Sequence, residues 1–322
     1  MNQQEFSNTL NTWGRDRVPF LFFIDFEMEK PVAFPLTGID PDLIQYNFQG
    51  FTNSKTKEKL KDLTFGKVPM SLEEYQERFD KVMLHLNRGD SFLTNLTICT
   101  ELKTNSDLAD LFHASHAKYK IYYNDQFVCF SPESFIQIKD NKIFSFPMKG
   151  TIDASVENAE QVILADKKEL SEHITIVDLI RNDLSQVADR VEVSRFRYVE
   201  ELKTHDKTLL QISSEVTGHL TGDYWSRIGD MLISLLPAGS VSGAPKPRTL
   251  EIIREAEAEK RGYYTGVCGY FDGTSLDSCV MIRFVEKIND SLYYRSGGGI
   301  TAQSSVISEY KEAIEKIYVP ID

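Results

Sequence analysis

The sequence predicts an α+β fold built on antiparallel sheets. Three observations lead there: short apolar runs bounded by turn dipeptides, helical periodicity confined to a few separated stretches, and an irregular interleaving of the two. Regular strand–helix alternation, which marks a parallel wound sheet, is not seen.

Residues 18–26, VPFLFFIDF, are apolar and aromatic and read as a buried strand. Residues 30–66 are mixed and polar, and Lys55, Lys57, Lys59 and Lys61 form a patch that reads as a solvated loop or linker. Over 71–88, Leu72, Tyr75, Phe79, Val82, Met83 and Leu86 recur at helical spacing, and Arg88-Gly89-Asp90 stops the helix. From 91 to 148 the chain reads as strands around Phe92, Leu96 and Ile98, then at 121–123, 127–130, 135–138 and 143–146. Asn124-Asp125 and Asp140-Asn141 supply hairpin turns between them. Helices are predicted over 157–187 and 247–260, with strand-like alternation over 191–220. Further strands fall near 263–271, 278–287 and 291–296, then a Gly297-Gly298-Gly299 turn and a last helix near 305–317.

Composition narrows the function classes. The 322 residues, 41% hydrophobic and 26% charged, are enough for a large core and exclude a disordered or low-complexity chain. A net charge of −12 argues against broad nucleic-acid binding, which needs clustered Lys and Arg. No apolar run reaches the roughly 20 residues of a membrane span, and the N-terminus shows no signal-peptide pattern. Cys99, Cys129, Cys268 and Cys279 form no CxxC pair, so a disulfide scaffold is not predicted and a cytoplasmic location is the default.

Four groups of residues invite chemistry. Glu169 and Glu172, and again Glu309 and Glu312, lie three apart in helical stretches, so each pair shares a helix face. Converging, the four carboxylates would suit Mg²⁺, a hard cation; apart, they would be two solvated acidic faces, and spacing does not choose. Lys149, in Phe146-Pro147-Met148-Lys149-Gly150-Thr151, is either an exposed hairpin end or an amine desolvated toward its neutral, nucleophilic form. Glu133, after Ser131-Pro132, is either a turn carboxylate or a buried acid with a raised pKa. Gly-rich stretches at 238–246 and 297–299 could bring backbone N–H groups to an anion, but neither fits GxxxxGK[ST] or GxGxxG.

Five stretches in order carry a resemblance: PMKGT (147–151), ELSEHITIVDLIRNDL (169–184), LPAGSVSGAPKPRTLEII (236–253), RGYYTGVCGYF (261–271) and GGGITAQSSVISEYKEAIEK (297–316). They resemble the chorismate-utilising enzymes, among them anthranilate, aminodeoxychorismate, isochorismate and salicylate synthases, over about residues 67–320. The resemblance implies two large antiparallel sheets packed as a sandwich with helices outside, a catalytic domain at 67–322, and a shortened N-terminal segment at 1–66 packed on it. It also implies Mg²⁺ at Glu169, Glu172, Glu309 and Glu312, and a ring-carboxylate cradle of Gly150, Thr151, Gly298, Gly299 and Lys316. Arg283 and Tyr264 become the anchors of the enolpyruvyl carboxylate; the planar Arg fork matches a carboxylate.

Within the family, Lys at position 149 is similar to the aminodeoxychorismate synthase component I branch, where the amine attacks ring C2 and ammonia then adds at C4. Glu133 resembles the family's general acid. Leu93 stands where isochorismate and salicylate synthases place a Lys base, and Leu cannot activate water. Gln211 replaces a His that the anthranilate branch links to pyruvate elimination, and no tryptophan-binding motif is apparent. The resemblance thus implies Mg²⁺-dependent conversion of chorismate to 4-amino-4-deoxychorismate, toward p-aminobenzoate and folate. No Cys-His-Glu glutaminase pattern is present, so ammonia is expected from a glutamine amidotransferase partner. The alternatives are anthranilate synthase component I and a non-catalytic chorismate-binding subunit.

Overall fold

The computed structural model describes residues 1–55, 63–203 and 208–320, and among these it forms two antiparallel sheets flanked by helices. The first sheet runs in spatial order β11 (Met148–Asp153), β13 (Thr208–His219), β10 (Lys142–Ser145), β9 (Ser134–Lys139), β16 (Leu276–Val280), β15 (Val267–Phe271), β1 (Phe20–Ile24) and β2 (Val32–Pro35), with β12 (Asp189–Lys203) also paired to β13. The second runs β14 (Gly243–Ala244), β6 (Leu93–Thr104), β18 (Ser291–Ile300), β17 (Phe284–Ile288), β8 (Phe127–Ser131), β7 (Tyr119–Tyr123), β3 (Ile44–Phe48) and β4 (Phe51–Thr52), with β5 (Phe65–Val68) also on β6. The helices are α1 (Gln3–Arg15), α2 (Leu72–Arg88), α3 (Leu108–Ala114), α4 (Ala159–Ala165), α5 (Lys167–Leu184), α6 (Ile228–Leu235), α7 (Gly239–Ser242), α8 (Lys246–Glu257) and α9 (Val306–Glu315).

Strand β1 shows why the sheets stack. Its side chains alternate, so Leu21 and Phe23 meet Ile44, Tyr46, Phe48, Ile121 and Phe127 of the second sheet. Phe20, Phe22 and Ile24 face the other way, onto Phe6 and Leu10 of α1 and Ile228 and Leu232 of α6. Both faces are covered, which explains an unbroken apolar run where alternation would mark a half-solvated strand. On the outer face of the second sheet, Leu96 and Ile98 pack with Tyr75, Phe79 and Val82 of α2, Ile252 of α8 and Ala313 of α9. Phe23 lies between the sheets with its ring 5.1 Å from Tyr123 and 6.1 Å from Phe127. Phe23→Ala is expected to lower unfolding free energy by about 3–5 kcal/mol, read from the urea midpoint at unchanged slope.

The helix expected at 71–88 forms with Ser71 and Glu74 as a capping box and Gly89 in a left-handed C-cap. Both expected hairpin turns have positive φ at Asn124, Asp125, Asp140 and Asn141. Other expectations are corrected. The polar tract 30–66 contains β2, β3, β4 and β5; Ile44, Tyr46 and Phe48 alternate inward within only five residues. Lys55 is exposed, whereas Lys57, Lys59 and Lys61 lie outside the described residues. The helix at 157–187 is two, because Asp166 leaves helical geometry and caps α5 by accepting from Glu169 N–H at 2.9 Å. Residues 278–287 are two strands in different sheets, separated by a turn in which Arg283 has φ 55°. Gly297-Gly298-Gly299 is strand, paired with Thr97, Leu96 and Asn95 of β6, because the ladder satisfies its backbone and leaves no turn to make. Helices α1, α3 and α6 have no counterpart among the elements expected from the sequence, and the expected Gly-rich turn at 238–246 contains the one-turn helix α7.

Among the described residues no helix is long and apolar enough to cross a membrane.

Candidate active site

The site lies where the chain changes sheets. Ser131-Pro132-Glu133 carries the chain from β8 to β9, and Met281-Ile282-Arg283 carries it back from β16 to β17. The two crossovers are tied: Phe130 N–H donates to Arg283 O at 3.0 Å, and Val280 N–H donates to Glu133 O at 3.2 Å. A carboxyl, Glu133, and a guanidinium, Arg283, are thereby carried on adjoining crossovers. Leu93, Glu133, Met148, Lys149, Glu172 and Gly299 line one cavity, together with Ser240.

Lys149 reaches that cavity because β11 bulges. Met148 pairs with Ser213 and Thr151 with Gln211, so Lys149 and Gly150 together face a single residue, Ile212. Gly150 has φ +83°, a left-handed conformation that favours glycine, and a Cβ there would stand 3.1 Å from Glu169 Oε2. The bulge turns Lys149 toward α5, where its Nζ donates to Glu172 Oε2 at 2.7 Å. Glu169 and Glu312 also act on this amine, so carboxylates of α5 and α9 border one space. Burial alone would push the Lys149 pKa down, but Glu172, then Glu169 and Glu312, outweigh it and raise it. The neighbouring carboxylates therefore favour the charged amine over the desolvated, neutral form considered from the sequence.

The second Glu pair is organised in the same way. Lys316 Nζ donates to Glu312 Oε1 at 2.6 Å and to Gly297 O at 3.0 Å. A Cβ on Gly298 would come 3.5 Å from Lys316 Nζ, 3.6 Å from Glu312 Oε1 and 3.8 Å from Glu309 Oε2, so glycine there keeps a floor open beneath three charged groups. Among the described residues no three His, Cys, Asp or Glu side chains already form a ligand cluster. The donors are nonetheless all hard oxygens, and four carboxylates against two ammonium groups leave a negative cleft. On charge and donor type, Glu169, Glu172, Glu309 and Glu312 could hold Mg²⁺.

Glu133 is largely enclosed, and burial raises its pKa against the opposing effects of a Ser240 hydrogen bond, Arg283 and Lys316. Ser240 Oγ donates to Glu133 Oε1 at 2.5 Å. The Arg283 guanidinium lies 5.2 Å from the Tyr318 ring, and its Nε is buried without a hydrogen-bond partner. Tyr264 is 4% exposed and sits close enough to Arg283 to feel its charge. Tyr264, Arg283 and Thr151 do not line the Lys149 cavity, and Thr151 is exposed. Ser240 and His173 were missed from the sequence as parts of the site. His173 is buried, its Nε2 is 2.6 Å from Ser214 Oγ, and burial, with Arg197 and Lys149 nearby, lowers its pKa to about 4. It therefore stays neutral and braces α5 against β13.

Comparison with known proteins bears on the family and the fold. Residues 42–322 match the family model described as chorismate binding enzyme. The chain is 48% identical over 319 residues to an uncharacterised PabA-like protein of Haemophilus influenzae, covering 99% of this chain and 97% of that one. It is 32% identical over 264 residues to aminodeoxychorismate synthase component 1 of Klebsiella aerogenes, covering 77% of this chain and 57% of that protein. Among solved structures, anthranilate synthase component I of Streptococcus pneumoniae superposes with a TM-score of 0.68 at 28% identity, over 81% of this chain and 60% of that one. A matched family model over most of the chain, on a site of this construction, leads to one conclusion: the protein belongs to the chorismate binding enzyme family.

Proposed function

We propose that this protein converts chorismate and ammonia to 4-amino-4-deoxychorismate and water, through a covalent adduct of Lys149. The observation that carries the reading is an amine, Lys149, sharing one cavity with a raised-pKa carboxyl, Glu133. Relatives bearing the two component I names match at comparable identity, so the choice between those activities rests on residues.

Each residue has a task. Lys149, having passed its ammonium proton to solvent, attacks ring C2 as the neutral amine, the ring double bond shifts, and the C4 hydroxyl departs as water with a proton from Glu133, which the ammonium formed at C4 in the next step returns. Ammonia then adds at C4, the double bond shifts back, and Lys149 leaves C2 with its bonding electrons. Arg283, with a buried unpartnered N–H, is suited to receive the enolpyruvyl carboxylate, with Tyr264 behind it. Gly298 and Gly299 keep open the floor on which the ring carboxylate would rest beside Lys316. Mg²⁺ held by Glu169, Glu172, Glu309 and Glu312 would supply positive charge to bind that carboxylate and offset the field that keeps Lys149 protonated. Leu93 lines the cavity and activates no water, and Gln211, opposite Thr151 in the ladder, is neither acid nor base near neutrality. A glutamine amidotransferase partner would deliver the ammonia, in the cytoplasm, with residues 67–322 as catalytic domain and 1–66 packed on it.

The test is to mix the protein with chorismate, Mg²⁺ and ammonium, and identify the product by mass and ultraviolet spectrum. The 4-amino product is expected; anthranilate or isochorismate as the main product would refute the reading. Consumption of chorismate with no other protein present separates an enzyme from a binding subunit.

A further inference from the structure

We propose that the buried Arg261–Glu257 ion pair is the positioning device for Glu133, acting through the Val241 carbonyl and the Ser240 hydroxyl. This rests on Glu133 being the acid of the proposed reaction. Arg261 and Glu257 are 1% and 2% exposed; Glu257 ends α8, Arg261 follows the helix, and the turn that carries Ser240 precedes it. The pair is closed by two bonds, Nε to Glu257 Oε2 at 2.8 Å and Nη2 to Glu257 Oε1 at 2.6 Å.

The remaining donors of the guanidinium reach the site's walls. Nη1 donates to Val241 O at 2.8 Å, on the one-turn helix α7 whose Ser240 holds Glu133 Oε1. Nη2 donates to Asn95 O at 2.9 Å, on β6 directly opposite Gly299. Glu257 Oε1 in turn accepts from both Thr97 N–H and Thr97 Oγ at 2.9 Å, opposite Gly297. The Arg261 carbonyl accepts from Tyr264 N–H at 3.2 Å. The guanidinium therefore fixes the turn behind the acid and the strand under the carboxylate floor, and the Arg261 backbone holds the turn of the anchor tyrosine.

A buried ion pair contributes little net stability, because desolvating two charges costs about what their attraction returns. What it does supply is direction: a planar fork with its partners set holds two backbone segments, at Val241 and Asn95, at one distance. The one-turn helix α7 closes on itself through the Ala238 and Gly239 carbonyls, which leaves the Val241 carbonyl to the guanidinium. With Val241 O released, Ser240 would swing, and with it the oxygen of Glu133 that it holds. An acid displaced by an ångström from a leaving hydroxyl loses much of its effect.

The experiment is a double-mutant cycle with Ser240→Ala and Arg261→Lys on the whole chain, measuring kcat and KM for chorismate with saturating ammonium and Mg²⁺. Lys keeps the charge but cannot span Glu257, Val241 and Asn95 together. Each single variant is expected to lose about tenfold to a hundredfold in kcat at near-constant KM. The double variant is expected to fall no further than the worse single one, because both act on the same contact. Multiplied losses, a raised KM at normal kcat, or an unaffected Arg261→Lys beside a slow Ser240→Ala would each overturn the proposal. Should Arg261→Lys fail to fold, Glu257→Met with Arg261→Met replaces the pair by apolar groups of similar volume; folded and fully active, it also overturns it. Glu133→Gln separates the two levels: full turnover there refutes Glu133 as the acid, whereas a slow Glu133→Gln beside intact Arg261 variants refutes only the positioning role.

Discussion

Lys149→Ala is expected to abolish the 4-amino product, with turnover falling at least ~10³-fold, in line with removal of an attacking nucleophile. The amine enters the cavity through the bulge at Gly150, and among the described residues no other lysine lines that cavity. Without it, ammonia has no covalent C2 adduct to displace, and any residual reaction should be substitution at C2. Arg at this position would keep a cation for Glu172 and is expected to stay inactive, which separates charge from nucleophilicity. Product identity by mass, and a substrate-derived mass increase on the peptide that contains Lys149, are the measurements. Full C4 amination by the alanine variant would remove the covalent step.

The second large effect is at Glu133. Glu133→Gln is expected to lose about 10²–10⁴-fold in kcat, the usual contribution of a positioned acid. The direction with pH follows from its surroundings. Burial favours the neutral carboxyl, so Glu133 keeps its proton to a higher pH than an ordinary Glu and loses activity as pH rises through that raised value. The alkaline limb of the kcat profile should vanish in the glutamine variant. Stability should fall over the same range: a raised folded-state pKa means that deprotonation opposes folding, so stability is lost as pH rises through it. At neutral and alkaline pH, Glu133→Gln is expected to melt higher than the parent protein. A lower melting temperature together with normal turnover would show the carboxylate to be a structural group.

Much of this protein is legible in one dimension. The buried strand at 18–26, the capped helix at 71–88 and the paired turns at 124–125 and 140–141 follow from local pattern, because capping, left-handed turns and apolar periodicity are short-range. The edge strands within 30–66 were not legible, since a five-residue alternation such as Ile44–Phe48 is too brief to stand out from a polar tract. The Gly297-Gly298-Gly299 turn failed for a different reason: glycine permits a turn, but pairing with β6 is a long-range bond that overrides local freedom. At the site, Lys149, Glu133 and the two Glu pairs could be named from order and spacing. Ser240 lay within a quoted stretch, yet its bond to a residue more than a hundred positions away gave no local sign.

Residue chemistry and element type belong to the sequence by itself: an amine before Gly150, a carboxyl after a Pro, carboxylates three apart on helices. Tertiary structure alone decided what these groups do to one another. Whether burial or its neighbours govern the Lys149 amine depends on α5 and α9 facing a common space, and the carboxylates prevail. That outcome depends on distance between segments far apart in the chain, because Coulomb interaction and desolvation act through space and carry no periodicity for a sequence to display.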